Sequence, residues 1–234
     1  MPSLNEKIRN TIQGFREALP PEMTAQLEQG AGEISALDIV EGALRPVDSA
    51  PAFDLAAYGG GRRTLAGYLN SGPLVLTFYR GVWCPYCNLQ LKEYHDRLHE
   101  ITDIGTNIVA LTPERPGALD QLKASGAPAD IVAGAVTSVG FDVLHDEANA
   151  LAREYGLVFE LPESHRRVLA QIGVDLVAMT GDASVTFPDP ATYVIEQSGR
   201  IAWAFVPNNY RKRAEVGAIV AALRECKSKQ LQEG

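Results

Sequence analysis

Residues 80 to 88 read RGVWCPYCN, and two of the chain's three cysteines, Cys84 and Cys87, stand there with only Pro85 and Tyr86 between them. Two thiols at this spacing support three chemistries: ligation of a metal, exchange of electrons as a dithiol, or attack of one thiol on a peroxide followed by closure with the other. An apolar run leads through Arg80 and Trp83 to Cys84, and Pro85 occupies a position favoured at a helix's first residue. Cys84 is therefore expected at a helix N-terminus, where unpaired backbone N–H groups and the macrodipole favour a negative charge. A thiolate is that charge, so Cys84 is expected to ionise below the free value of ~8.5 and to be the nucleophile, with Arg80 helping. Positions 87, 91, 94, 98 and 101 are Cys, Leu, Tyr, Leu and Ile, a single helical stripe. Cys87 heads this buried stripe while Cys84 is expected at the exposed lip, an attacker with a shielded resolver behind it.

The other candidates are weaker. Cys84, Cys87, His95 and His99 spell C-x2-C-x7-H-x3-H, superficially a zinc set. On one continuous helix Cys87 and His95 would stand about 12 Å apart at ~1.5 Å per residue, too far for ligands of one ion. No metal is expected, nor any other cofactor. Cys226 lies on the last helix in line with Val216, Ile219 and Leu223, as a core residue would, or as a second resolving or intersubunit thiol. Pro190 stands just ahead of an apolar stretch beginning Ala191-Thr192, where a trans or a cis peptide fits.

The elements that must position these residues are readable from periodicity. Helical spacing runs over 4–19 and more weakly over 22–44, so residues 1–48 are expected to form a helical extension and 49–234 the main domain. Continuous apolar stretches at 73–79 and 106–113 read as strands buried on both faces, with a helix over 85–101 between them. Helices are expected at 117–125 and 147–156, a strand at 141–145, and a variable stretch at 157–190 holding a short inserted helix. Strands 191–196 and 201–206 form a hairpin around Gln197-Ser198-Gly199, and a final helix spans about 211–230. Alternating strands and helices closed by a hairpin define an α/β layered domain with a mixed sheet. The 234 residues carry 21 basic and 29 acidic side chains, net −8, which argues against nucleic-acid or anionic-membrane partners. No apolar run approaches the ~18 residues that span a bilayer, and the first residues lack the basic-then-apolar order of a secretory signal. The expected location is the cytoplasm, where close cysteines are redox-active or metal-binding more often than structural. No G-x-G-x-x-G or phosphate-loop pattern follows any strand.

These blocks carry a resemblance. Trp83-Cys84-Pro85-Tyr86-Cys87 after a buried strand resembles the thioredoxin superfamily, and Cys-Pro-Tyr-Cys is similar to the glutaredoxin motif. PAFDL, GPLVLTFYRGVWCPYCN, VALTPERP, HDEANALAREYGLVFELP and PATYVIEQSGRIAWAFVPNNYRKRAE resemble, in order, the peroxiredoxin-like proteins of the alkyl hydroperoxide reductase/thiol-specific antioxidant group. The resemblance covers roughly residues 50–224. It implies a thioredoxin-like fold, hydroperoxide reduction by Cys84 with Cys87 resolving, a thioredoxin-like or glutathione electron donor, and, with the extension, a homodimer. It also places Pro190 at the superfamily's cis-proline. The chain departs from the pattern where standard peroxiredoxins keep a proline, a hydroxyl residue and an arginine: Thr77, Gly81 and Pro190 stand there instead. Phe78 replaces the buried acid of thioredoxins. Thr77 and Arg80 are then the available donors to a peroxide, and a disulfide oxidoreductase acting on protein or glutathione disulfides stands as the alternative.

Overall fold

A computed structural model describes residues 2–233, with side chains through Ser228. Three helices come first: α1 (Leu4–Ala18), α2 (Pro21–Ser35) and α3 (Ile39–Gly42). Ser3 and Glu6 close a reciprocal capping box on α1, satisfying N–H groups that would otherwise lack partners, and Leu4 and Ile8 bury its inner face. Then come β1 (Asp54–Ala57), β2 (Arg62–Thr64), α4 (Leu65–Leu69), β3 (Leu74–Phe78), α5 (Pro85–Asp96), α6 (Leu98–Thr102) and β4 (Asn107–Thr112). The chain continues with α7 (Ala118–Ala124), α8 (Ala129–Gly134), β5 (Asp142–His145), α9 (Ala150–Glu154), β6 (Val158–Glu160), α10 (Glu163–Gln171), α11 (Leu176–Thr180) and β7 (Thr186–Pro188). It closes with β8 (Thr192–Ile195), β9 (Ile201–Phe205) and α12 (Val216–Glu233).

Seven strands form one mixed sheet in the order β2-β1-β5-β4-β3-β8-β9, and β6 pairs with β7 apart from it. β3, β4 and β5 run parallel, while β8 is antiparallel to β3. Every residue of β3 is buried, as its unbroken apolar run requires of a central strand with both faces covered. Residues 47–50 join the edge beside β9: Val47 donates to the Ile201 carbonyl and Ile201 to that of Asp48.

Three expectations change. The helix over 85–101 is interrupted at Arg97, whose φ of −112° and ψ of 20° break the ladder, yet Cys87, Leu91, Tyr94 and Ile101 still share a buried face. The last helix starts at Val216 and not near 211. Residues 206–215 are a loop whose Arg213 side chain donates to the Tyr210 and Lys212 carbonyls, anchoring an irregular backbone. The stretch 157–190 also holds the three-residue strands β6 and β7, too short to show a period, and α11.

Candidate active site

β3 delivers the chain to a buried loop, Tyr79–Trp83, and then to α5. Cys84 is the N-cap of α5 and Pro85 its first residue, so the missing proline N–H falls where the helix has no internal acceptor for it. Gly81 adopts φ 153°, and a Cβ there would fall 2.3 Å from Glu114 Oε1 and 2.7 Å from Trp83 Nε1. The loop needs glycine for conformation and for room. Asn88 Nδ2 donates to the Val82 carbonyl at 2.7 Å and ties the loop to the helix.

Both thiols are fully buried, at 0% exposure, which corrects the expectation of an exposed lip for Cys84. The cover is the 206–215 loop, laid over the thiols where a helix beginning at 211 was expected. Arg80 Nη2 donates to Cys84 Sγ at 3.0 Å, and Arg213 Nη2 donates to Cys87 Sγ at 3.1 Å. Arg80 is stacked between the Trp83 and Tyr210 rings, 4.9 Å and 4.2 Å from their centroids. Arg213 Nε donates to Gln90 Oε1 at 2.5 Å, Gln90 Nε2 to Thr77 Oγ1 at 2.8 Å, and the Thr77 hydroxyl shares a hydrogen bond with that of Thr192. Among the described residues, neither guanidinium has a carboxylate within ion-pair distance. Two buried cations with no carboxylate in direct contact, Asp189 acting on both only at longer range, make a thiolate the natural close counter-charge.

The pair shares that charge along the Cys84–Cys87 hydrogen bond. Burial and the bond to Cys87 push the Cys84 thiol well up, against the pull of Arg80. Burial also opposes ionisation of Cys87, but the Cys84 hydrogen bond and the Arg213 and Arg80 charges outweigh it and hold Cys87 well below the usual thiol range. The resting charge therefore sits on Cys87, the reverse of the sequence expectation, which considered the helix terminus and not Arg213. Burial alone would lower Arg80; the thiolate charge shared by Cys84 and Cys87 outweighs it and keeps the guanidinium protonated.

Of the other expected residues, Trp83 packs edge-on against Phe187 at 5.2 Å and Tyr86 lies 6.1 Å from the Tyr210 ring. Thr77 reaches the thiols only through Gln90 and Arg213. Pro190 is buried at the start of β8, level with the thiol loop, but no peptide bond among the described residues is cis. Asp189 and Ala191 instead close a three-residue turn around Pro190, Ala191 N donating to Asp189 O at 2.7 Å, a bend that proline's fixed φ suits. His95 Nδ1 accepts the Gly140 N–H, and among the described residues no group of three metal-type side chains converges.

Sequence reading missed Arg213, Gln90, Tyr210, His165 and Glu114. Gln90 left one trace, a polar residue between Cys87 and Leu91 on the apolar face. Tyr210 is held by His165, whose Nε2 lies 3.0 Å from the Tyr210 hydroxyl; burial and the charges of Arg80 and Arg211 push that imidazole down to about 3, so it is neutral. Glu114, two residues past β4, accepts the Val82 N–H at 2.8 Å, and its carboxyl is pushed up to about 8 by burial, with the Cys87 charge adding and the Val82 bond opposing.

Solved structures share this architecture at low identity. A peroxidoxin named BcpB from Mycobacterium tuberculosis aligns with a TM-score of 0.55 at 18% identity, covering 78% of this chain and 97% of that one. A Plasmodium vivax 2-Cys peroxiredoxin in reduced form aligns with a TM-score of 0.57 at 15% identity, over 81% of this chain and 84% of that one. The fold is thus thioredoxin-like. The AhpC/TSA family model matches residues 46–204, and the chain belongs to that family. A curated M. tuberculosis relative that bears a peroxiredoxin name, present under two strains, is 34% identical over 73 residues, 31% of this chain. The matched stretch spans about half, 46%, of that relative's length.

Proposed function

We propose that the protein is a thiol-dependent peroxidase that reduces hydroperoxides through Cys84 and Cys87. The observation that supports this best is the pair of buried guanidiniums, one on each sulfur. In this reading Cys84 passes its proton to Cys87 as its sulfur attacks the terminal peroxide oxygen. An S–O bond forms, the O–O bond breaks, and the departing alkoxide takes the proton from Cys87. Arg80, already donating at the attacking sulfur, stabilises charge that develops on the peroxide. Cys87, again a thiolate, attacks the sulfenic sulfur of Cys84; the S–S bond forms and hydroxide leaves. A thioredoxin-like protein or glutathione then supplies two electrons and two protons to reopen the disulfide. Trp83, Pro85, Tyr86, Thr77 and Pro190 support the pair by shaping and closing the loop. We further assign residues 1–48 as an extension that steadies the 206–215 loop, and infer a cytoplasmic homodimer. Among the described residues no helix is long and apolar enough to cross a membrane.

Trp83 reports directly on Cys84. In a Trp203→Phe background it is the only tryptophan of the chain's two. Stopped-flow mixing with hydrogen peroxide should change its fluorescence far faster than free cysteine reacts, and Cys84→Ser should abolish the change. A rate no greater than that of free cysteine rejects the peroxidase. Gly81, in place of a hydroxyl beside the nucleophile, favours a second reading, exchange with protein or glutathione disulfides by the same pair. Fast reaction with oxidised glutathione and none with peroxide would select it.

A further inference from the structure

The chemistry above leaves unused a buried carboxyl that accepts a hydrogen bond from the thiol loop. Glu114 is fully buried, and its Oε2 accepts the Val82 N–H two residues before Cys84. Its Oε1 has no hydrogen-bond partner, and no cation pairs with it among the described residues. Trp83 Nε1, a buried donor, is likewise without a partner, and both atoms border the space beneath Gly81. An ionised carboxylate so placed would be costly, whereas a protonated one is not. The titratable groups that interact with it are Cys87 on α5, Tyr79 after β3, and Tyr58, whose hydroxyl donates to the Glu114 carbonyl. Burial pushes both tyrosines far up, so neither competes for a proton near neutrality.

We propose that Glu114 is the proton store of the thiol pair, protonated while Cys87 is a thiolate and ionised once Cys84 and Cys87 have closed into a disulfide. This rests on the assignment of those two cysteines as the redox pair. The balance is complete. The reduced site holds one thiol, one thiolate and one carboxylic acid. Peroxide oxidises the sulfurs, the O–O bond breaks, and the S–S bond forms. The alkoxide leaves with the thiol proton, and the hydroxide released from the sulfenic acid leaves as water with the Glu114 proton. The site carries one negative charge before and after; it moves from sulfur to carboxylate. Burial, the larger influence holding the Glu114 proton, is unchanged by oxidation, while the smaller one, the Cys87 charge, is lost; the hydroxide formed at the buried sulfur is the base that takes the proton, and the Val82 N–H bond stabilises the carboxylate left behind. Reduction reverses each step and returns the proton.

Two measurements near pH 7, below the value of about 8 for the reduced site, test this. Infrared difference spectra should show a protonated carboxylic C=O band that vanishes on oxidation and is absent from both forms of Glu114→Gln. A pH-indicator assay should show no net proton change when the wild type is oxidised by hydrogen peroxide, but uptake of about one proton per disulfide in Glu114→Gln. Gln keeps an acceptor for Val82 N–H, and should it fail to fold, the wild-type spectrum alone decides. A band unchanged by oxidation, or equal proton counts in the two proteins, overturns the proposal. Repeating both with oxidised glutathione separates the readings. Oxidation by the disulfide but not by peroxide would sink the peroxidase while leaving the Glu114 outcome intact.

Discussion

The two thiols are three residues apart, yet their cations come from very different distances along the chain. Cys84 takes its guanidinium from Arg80, four residues back on the same loop. Cys87 takes its own from Arg213, 126 residues away, on a loop tied to α1: Asn5 Nδ2 donates to the Arg213 carbonyl, Arg213 N donates to Asn5 Oδ1, and Glu215 accepts from the Leu4 and Asn5 backbone. The attacking side draws its cation locally, and Arg80 is clamped between the neighbouring Trp83 ring and the Tyr210 ring of the covering loop. The closing side depends on tertiary docking of a loop and on the N-terminal helices that hold it. Nucleophilic attack and disulfide closure should therefore respond to different mutations.

The largest expected effect comes from exchanging the two arginines. Arg80→Met should slow the peroxide-attack phase by about 10²-fold, the scale of losing one donor to a developing charge. Arg213→Met should spare that phase more and slow disulfide closure, because Cys87 loses the cation that keeps it ionised. Double-phase stopped-flow traces separate the two, and equal slowing of both phases by either variant would erase the contrast. A middle-sized effect follows from cutting the tether. Asn5→Ala removes three half-buried hydrogen bonds that water can replace on opening, and a net loss of about 1 kcal/mol for the set is roughly a fivefold change in an opening equilibrium. Alkylation of Cys84 by iodoacetamide should accelerate by about that factor, and an unchanged rate would mean that α1 does not control access. The smallest effect is thermal. Glu114 has a folded-state value near 8, above the ordinary 4.5, so folding loses stability as pH rises from 4.5 towards 8, where the unfolded chain ionises and the folded one resists. Glu114→Gln should raise the melting midpoint near pH 8, by about 2–4 °C for each kcal/mol of carboxylate burial relieved, and leave it nearly unchanged near pH 4.5. A rise equal at both pH values would argue against a buried titrating carboxyl.

The same division separates what could be read in the residues from what could not. Strands 73–79 and 106–113, the hairpin after Pro190, and Cys84 at the head of a helix all follow from short-range pattern, since apolar periodicity and Pro85 act over a few positions. Arg80 belongs to that class. Arg213, Gln90 and Glu114 do not. Arg213 sits in YRKRAE, whose composition suits a helix start or a solvated face, and only the docked loop turns it inward. Glu114 follows VALTP as an unremarkable acid at the end of a strand; its burial comes from the space that Gly81 leaves across the sheet. The ionisation of the pair has the same origin in part, since after the hydrogen bond from Cys84 it is the long-range Arg213 charge that holds Cys87 down. Pro190 shows a resemblance set aside by local chemistry, the Asp189–Ala191 turn bending the chain there with a trans bond.

The enclosure of the thiols by Tyr210, Arg80 and the 206–215 loop bears on damage as well as on turnover. A sulfenic acid is lost irreversibly only when a second oxidant molecule reaches it before a thiol does. Here the second thiol is already inside the cover and the second oxidant is not, so each opening admits a contest that the interior partner enters with a head start. Resistance to over-oxidation should thus be a property of how tightly α1 holds that loop closed.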